Sequence, residues 1–160
     1  MVEAAGLSKQ AVRIENPVQE EYSVLRPSIA VTLLQVLAAN QHAEKPIRVF
    51  EVGEVVYKTE EGVFEDLRMG LAVMDNSVSF EDVQAPVYSI LRILGVDFKA
   101  EPLESTLFLE GRAARLVNPL VGEIAWLGDA NPSVLARLGF RYPVALAEIS
   151  LNAVSRALKR

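Results

Sequence analysis

Residues 47–57, IRVFEVGEVVY, are rich in β-branched and aromatic side chains, and no other stretch constrains the fold as tightly. Such a run reads as a strand. LRMGLAVM at 67–74 returns as a second strand, with TEEGVFED at 59–66 as a polar turn around Gly62. Both strands are apolar on both faces, the pattern of central strands covered on two sides. Gly53 inside the first strand points to a bulge or to a close approach of another group to the backbone.

The remaining pattern sets helices between strands. Pro27 suits the first position of a helix over 27–43, where its missing N–H costs nothing. Ile29, Leu33 and Leu37 share one face of it. AVRIE at 11–15 alternates like a short strand and is broken by Asn16-Pro17. A second helix is expected over 79–95, with Ser79 and Asp82 as a capping box. Pro86 kinks that helix or marks its true start. Short strands follow at 97–101, 106–109, 112–117 and 121–128. Asn131-Pro132 starts a short helix that stops near Gly139. PVALAEIS at 143–150 is a last strand, followed by a helical turn or two. Strand hairpins with helices between them indicate an α+β domain on a mostly antiparallel sheet.

The chain has 160 residues, of which 51% are hydrophobic and 23% charged. A chain of about 150 residues can bury about 70% of its unfolded surface, so one self-sufficient core is expected over 11–160. Residues 1–10 are expected to form a flexible N-terminal segment. That composition excludes general disorder. Net charge is −5, which argues against a surface that tracks nucleic-acid phosphates. With no cysteine, disulfides, thiolate metal sites and thiol catalysis are all excluded. His42 is the single histidine, so paired catalytic histidines are excluded too. No secretory signal opens the chain. The apolar run at 29–39 falls short of the about 20 residues of a membrane span. A soluble, cytoplasmic protein is expected.

Neither GxGxxG nor GxxxxGK[ST] occurs, which removes nucleotide binding by those loops. His42 at a polar helix end reads as solvated rather than as part of a triad. Glu20-Glu21, Glu60-Glu61 and Glu65-Asp66 lie in polar stretches and read as a solvated rim. Glu51 and Glu148 differ, because each interrupts an apolar strand. A carboxylate on a covered sheet needs a partner or a raised pKa. Each is either a cleft acid or half of a structural ion pair, with Arg48, Arg68 or a partner chain on the other side, and the ion pair is preferred.

Several motifs in series resemble one family. ENPVQEEYSVLRPSIAVTLLQVLAANQ (15–41) and IRVFEVGEVV (47–56) look like the beta subunit of phenylalanyl-tRNA synthetase. The match continues through FEDVQAPVYSILRILG (80–95), LEGRAARLV (109–117), GEIAWLGDANPSVLARLGF (122–140) and PVALAEISL (143–151). Each motif alone is weak; together they are specific, and EGRAA resembles the archaeal and eukaryotic type. The positions that carry the signature are Asn16, Pro17, Leu25, Arg26, Glu51, Gly53, Gly111, Arg112, Pro132 and Glu148, with structural or interface roles.

The resemblance implies a class II aminoacyl-tRNA synthetase-like fold, an antiparallel sheet flanked by helices, in the catalytic-like module at the C-terminal end of the beta subunit. It implies that the chemistry belongs to the catalytic alpha subunit, which uses ATP and Mg²⁺, in a heterotetramer that charges tRNA with phenylalanine. This chain would then hold no cofactor, metal or catalytic residue, and would meet tRNA indirectly, with neither DNA nor membrane as partner. A working class II site grips ATP through arginines in its second and third motifs, whose planar fork suits phosphate. By this resemblance Glu51 stands at the first position, and the second arginine is absent beside Glu148. A carboxylate about 4 Å from a phosphate would repel it by about 4 kcal/mol at an effective dielectric near 20. The family's usual histidine after the glycine-bearing strand is Asn131 here. Regions that precede this module in the family, including its editing and DNA-binding-like domains and its first class II motif, have no counterpart in the chain, which suggests an excised piece or a stand-alone paralogue. Three expectations follow: a non-catalytic module supporting the alpha subunit, with an exposed apolar patch where a partner docks; a stand-alone binding module for an amino acid or RNA; or an independent enzyme with Glu51 or Glu148 as acid or base in a deep pocket.

Overall fold

A computed structural model describes residues 1–15 and 24–158. Asn16, Pro17 and the pair Glu20-Glu21 therefore lie outside the described residues. In chain order the elements are β1 (Val12–Arg13), β2 (Val24–Leu25), α1 (Ile29–Ala39), β3 (Ile47–Thr59), β4 (Gly62–Met74), α2 (Glu81–Ile93), β5 (Lys99–Pro102), β6 (Phe108–Asn118), β7 (Gly122–Ala130), α3 (Pro132–Arg137), β8 (Val144–Ser150) and α4 (Leu151–Leu158). β1 and β2 pair with each other, and the other six strands form one sheet in the order β3-β4-β8-β7-β6-β5. Every pairing is antiparallel.

The β3–β4 hairpin is longer than its sequence pattern suggests. Its register runs unbroken from Ile47↔Met74 to Thr59↔Gly62, leaving only Glu60 and Glu61 as the loop. Most of the expected turn at 59–66 is therefore strand. Pairing satisfies the backbone of these polar residues, and Phe64 stacks on Tyr57 with ring centroids 5.9 Å apart. The unbroken register also removes the bulge considered for Gly53. The expected two-sided cover fails for β3, which is an edge strand: Phe50 is 70% and Val52 51% exposed.

Helix starts follow local hydrogen bonding. α1 begins at Ile29, not Pro27, because Ser28 is extended (φ −156°, ψ 144°) and its Oγ accepts from Ala30 N–H at 3.1 Å. That side chain satisfies one orphan donor, and Pro27 falls before the cap. Ile29, Leu33 and Leu37 are buried together as expected. α2 starts at Glu81 and carries Pro86 inside it, so the proline does not mark its start. The Ser79 N–H donates to Asp82 Oδ2 at 2.9 Å, one half of the expected capping box. The strands expected at 106–109 and 112–117 are one strand, β6, whose register shifts between Phe108 and Ala113. Gly111 absorbs that irregularity at φ +72°. α3 opens as expected on Asn131, whose side chain accepts from Ser133 N–H at 2.9 Å, with Pro132 next.

One face of the sheet is covered by α1, with Leu34, Leu37, Met74 and Leu146 fully buried beneath it; the other, by α2 and α4, buries Val87, Leu91, Leu127 and Ile149. Residues 1–10 lie against the α1 side: Ala5 is buried in that cluster and Ser8–Gln10 form a short 3-10 turn. No helix among the described residues is long and apolar enough to cross a membrane.

Candidate functional site

The register places Glu51, Gly70, Glu148 and Trp126 in one row on the α1 side, with Gly53, Arg68 and Ser150 in the next row. α1 lies directly on the first row. A Cβ on Gly70 would stand 2.5 Å from Ile29 Cγ2, so only glycine admits the helix there. Beyond the start of α1 the sheet is uncovered and forms a hollow of about 770 Å³, lined in part by Tyr57, Phe64, Arg68, Phe108, Trp126 and Glu148.

Glu148 is the charged floor of this hollow, with 1% of its side chain exposed. Its Oε1 accepts from Arg68 Nη1 at 2.8 Å. Its Oε2 accepts from Ser28 Oγ at 2.5 Å and from Ala30 N–H at 3.2 Å. The carboxylate thus sits on the N-terminus of α1, where backbone donors and the helix dipole favour an anion. α1 has no acidic residue in its own first turn, so β8 supplies one. Arg68 Nε donates to Asp66 Oδ2 at 2.8 Å, and the guanidinium lies 4.9 Å from the Tyr57 ring centre. Asp66 Oδ1 accepts from Ser150 Oγ at 3.0 Å, and Ser150 Oγ accepts from Ala153 N–H at 3.0 Å. Burial works against the Arg68 charge, but Glu148 and Asp66 outweigh it and raise its pKa further above its usual range. One cation is held by two anions, and every carboxylate oxygen of Glu148 and Asp66 has a donor. Glu148 is half of an ion pair with Arg68, not a free acid, and of the pair Glu65-Asp66 only Glu65 is solvated: Asp66 is 7% exposed.

Glu51 does not line the hollow. It pairs with Arg26, whose Nε donates to Glu54 O at 3.0 Å and Nη1 to Thr32 Oγ1 at 2.9 Å. Arg26 crosses β3 directly over Gly53, where a Cβ would stand 2.2 Å from Nη2. The close approach expected at Gly53 is this guanidinium. Leu25, next to it, is 37% exposed on β2. Arg112, just after Gly111, sits 2.8 Å from Asp129 Oδ2 through Nε, on β6, two strands from the β8 of Glu148. Pro132 stands at the start of α3. The signature positions are therefore distributed over separate contacts rather than gathered in one centre. Ser28 escapes the sequence reading, and Asp66 is recognised there only as a solvated acid. Asp66 and Arg68 stand two apart on a strand and so share a face, a signal hidden while 59–66 was read as a turn. Among the described residues no three His, Cys, Asp or Glu side chains are grouped as a metal ion would require.

A second feature lies on the opposite face of β3–β4. Phe50, Val52 and Leu67 are 70%, 51% and 37% exposed. Phe50 pairs with Leu71 and Val52 with Met69, which makes a contiguous apolar stripe beside the open sheet edge.

The family model described as "Phenylalanyl tRNA synthetase beta chain CLM domain" matches residues 2–151. The phenylalanine–tRNA ligase beta subunit of Aeropyrum pernix is 48% identical over 161 aligned residues, covering 100% of this chain and 29% of that protein. The Saccharolobus solfataricus beta subunit is 42% identical over 96% of this chain and 29% of its own length. The chain therefore spans less than a third of the curated relatives it matches. Among solved structures, pyrrolysyl-tRNA synthetase from Desulfitobacterium hafniense superposes with a TM-score of 0.72 at 17% identity, covering 91% of this chain and 52% of that one. That likeness is one of fold: the sheet and its helices are those of a class II tRNA synthetase. With the family match across nearly its whole length, this chain belongs to the phenylalanyl-tRNA synthetase beta-chain family as its CLM domain.

Proposed function

We propose that this module performs no chemistry and supports the catalytic alpha subunit of phenylalanine–tRNA ligase in the ATP-dependent attachment of phenylalanine to tRNA. The observation that carries this reading is the clamp on Arg68. A triphosphate needs cations with free donors. The Arg68 guanidinium already donates to Glu148 and Asp66, and the other cations that line the hollow, Lys58 and Arg156, are outweighed by the acids Glu65, Glu104 and Glu123 there, so the lining is net negative. Removing Arg68 from those partners would leave Glu148 buried and unpaired, a loss no surface phosphate contact offsets. The residues of the hollow do not fit a triphosphate, so ATP and Mg²⁺ are assigned to the alpha subunit. The same saturation argues against Glu148 as a general acid or base.

The stripe of Phe50, Val52 and Leu67 supports the second half of the reading, since exposed apolar patches mark association surfaces. On this reading the complex is cytoplasmic, an alpha-beta pair that doubles. Two measurements test this. ATP–pyrophosphate exchange by the purified chain with phenylalanine and Mg²⁺ should stay at background, and calorimetry with ATP or phenylalanine should show no heat of binding. Co-expressed alpha subunit should retain the chain on an affinity column. Adenylate formation by the chain alone would overturn the non-catalytic reading. Tight binding of phenylalanine without retention by the alpha subunit would favour a stand-alone amino-acid-binding module built on the aromatic hollow.

A further inference from the structure

β3 is the edge of the six-stranded sheet, and its outer side is closed over only part of its length. The Val56 N–H donates outward to Arg26 O, and Glu54 O, also turned outward, accepts from Arg26 Nε. Ala11 bridges Tyr57 beside them. Main-chain groups alternate along a strand, so the even-numbered residues face outward while the odd-numbered ones bond β4. From Arg48 to Val52 the outer side is open: among the described residues no main-chain group bonds the outward N–H and C=O of Arg48, Phe50 or Val52. Such an edge is a template for another strand. Neither proline, lysine nor a bulge protects residues 47–52.

The side chains over this edge select the strand that fits. On the face away from α1 stand Arg48, Phe50, Val52 and Glu54, all exposed. In order they read cation, apolar, apolar, anion, a row that complements its own reverse. Among the described residues neither Arg48 nor Glu54 belongs to an ion pair. On the α1 face Glu51 is already neutralised by Arg26. A partner of one sign leaves one end of the row unmatched, whereas a reversed copy matches both ends.

We propose that, when the alpha subunit is absent, two copies of this chain join through β3, antiparallel and about a two-fold axis at Phe50, into one continuous sheet. Such an isologous contact uses the same patch on both copies. Centring on Phe50 uses only the open groups: Phe50 faces Phe50 of the second copy, and Arg48 faces its Val52. Each of these facing pairs exchanges two main-chain hydrogen bonds. Arg48 lies diagonal to Glu54 of the second copy, within reach of so long a side chain. The apolar stripe is buried at the seam. The pairing concerns the chain alone, so its test is separate from retention by the alpha subunit.

Sedimentation velocity over a concentration series should show the 160-residue chain as a reversible dimer. Arg48→Glu sets like charges together at both ends of the seam and should weaken the dimer about fivefold or more. Adding Glu54→Arg to that variant should restore it, since the row is then complementary with the signs exchanged. Phe50→Asp should abolish the dimer. Ile93→Asp, at a residue 84% exposed at the end of α2, should leave it unchanged. The chain has no cysteine, so single thiols report the register. Arg48→Cys mixed with Val52→Cys should cross-link under mild oxidation, because facing residues stand about 5.5 Å apart, within disulfide reach. Either variant alone should not, since its two thiols stand about 14 Å apart along the seam. A chain that stays monomeric at millimolar concentration would overturn the proposal. So would a dimer that Ile93→Asp weakens as much as Phe50→Asp, a charge exchange without rescue, or cross-linking equal in the mixed and single samples.

Discussion

Arg68 on β4 reaches Glu148 on the neighbouring strand β8, Nη1 to Oε1 at 2.8 Å, and only 1% of the Glu148 side chain meets solvent. Such a pair stabilises little against an apolar substitute, but breaking one side strands a buried charge. Arg68→Ala should therefore cost about 3–5 kcal/mol. Ser28→Ala removes another Glu148 donor and the α1 cap together, and should cost about 1–2 kcal/mol. Urea midpoints at neutral pH measure both. A loss below about 1 kcal/mol for Arg68→Ala would mean that water reaches Glu148 and that the clamp is not a structural requirement.

Gly53 and Arg26 form a second dependency. An added Cβ would meet Nη2 at 2.2 Å, so Gly53→Ala must push the guanidinium off Glu51, Thr32 and the Glu54 carbonyl. The ion pair is part-exposed and contributes at most about 1 kcal/mol. With the lost hydrogen bonds, Gly53→Ala should cost about 1–2 kcal/mol. In an Arg26→Ala background the same change should cost nearly nothing, because alanine suits a strand better than glycine. A double-mutant cycle reads the coupling; additive losses would show that the glycine serves some other purpose.

Glu123, at the rim of the hollow, has its pKa raised by burial, with Arg115 and Arg68 opposing in part. A carboxyl whose folded pKa lies above its unfolded value favours the folded state only while protonated. That contribution is complete below the unfolded value near about 4.3 and disappears as pH rises through the folded value. Glu123→Gln should thus gain stability relative to wild type as pH climbs from about 4 towards neutral. The side chain keeps solvent contact, so the gain is small. Paired melts across that range check it. A difference that is flat with pH, or of the opposite sign, would place the carboxylate in a favourable contact instead.

Much of this arrangement was legible because local chemistry and tertiary structure agree. Asn131 caps α3 ahead of Pro132, and Ile29, Leu33 and Leu37 bury one helix face. The readings failed where a distant residue decides. Ser28 rather than Pro27 starts α1, held by a carboxylate from 120 residues further along. The polar segment 59–66 is mostly strand, since pairing with β3 satisfies its backbone and Arg68 neutralises Asp66. Glu51 and Glu148 read alike as carboxylates in apolar strands, yet α1 separates them: one pairs at the edge with Arg26, the other lies under the helix start. Two positions in one row of a sheet face cannot be told apart without knowing which of them a helix covers.

The exposed stripe yields the sharpest test of association. Phe50 is 70% exposed and Val52 51% exposed on an edge strand, where the module itself gains nothing from them. Buried in an interface, an aromatic anchor contributes on the order of 2 kcal/mol or more. Phe50→Asp should therefore leave the chain's own melting unchanged within about 0.5 kcal/mol. Against the alpha subunit it should weaken binding at least about thirtyfold, since the side chain would lose its apolar contact and carry a charge into the interface. Leu120→Asp, an equally apolar change at an exposed turn residue between β6 and β7, should not affect binding. Titration calorimetry of each variant with purified alpha subunit makes the comparison. Wild-type affinity for Phe50→Asp would move the docking surface away from β3 and leave the stripe without a role in the complex.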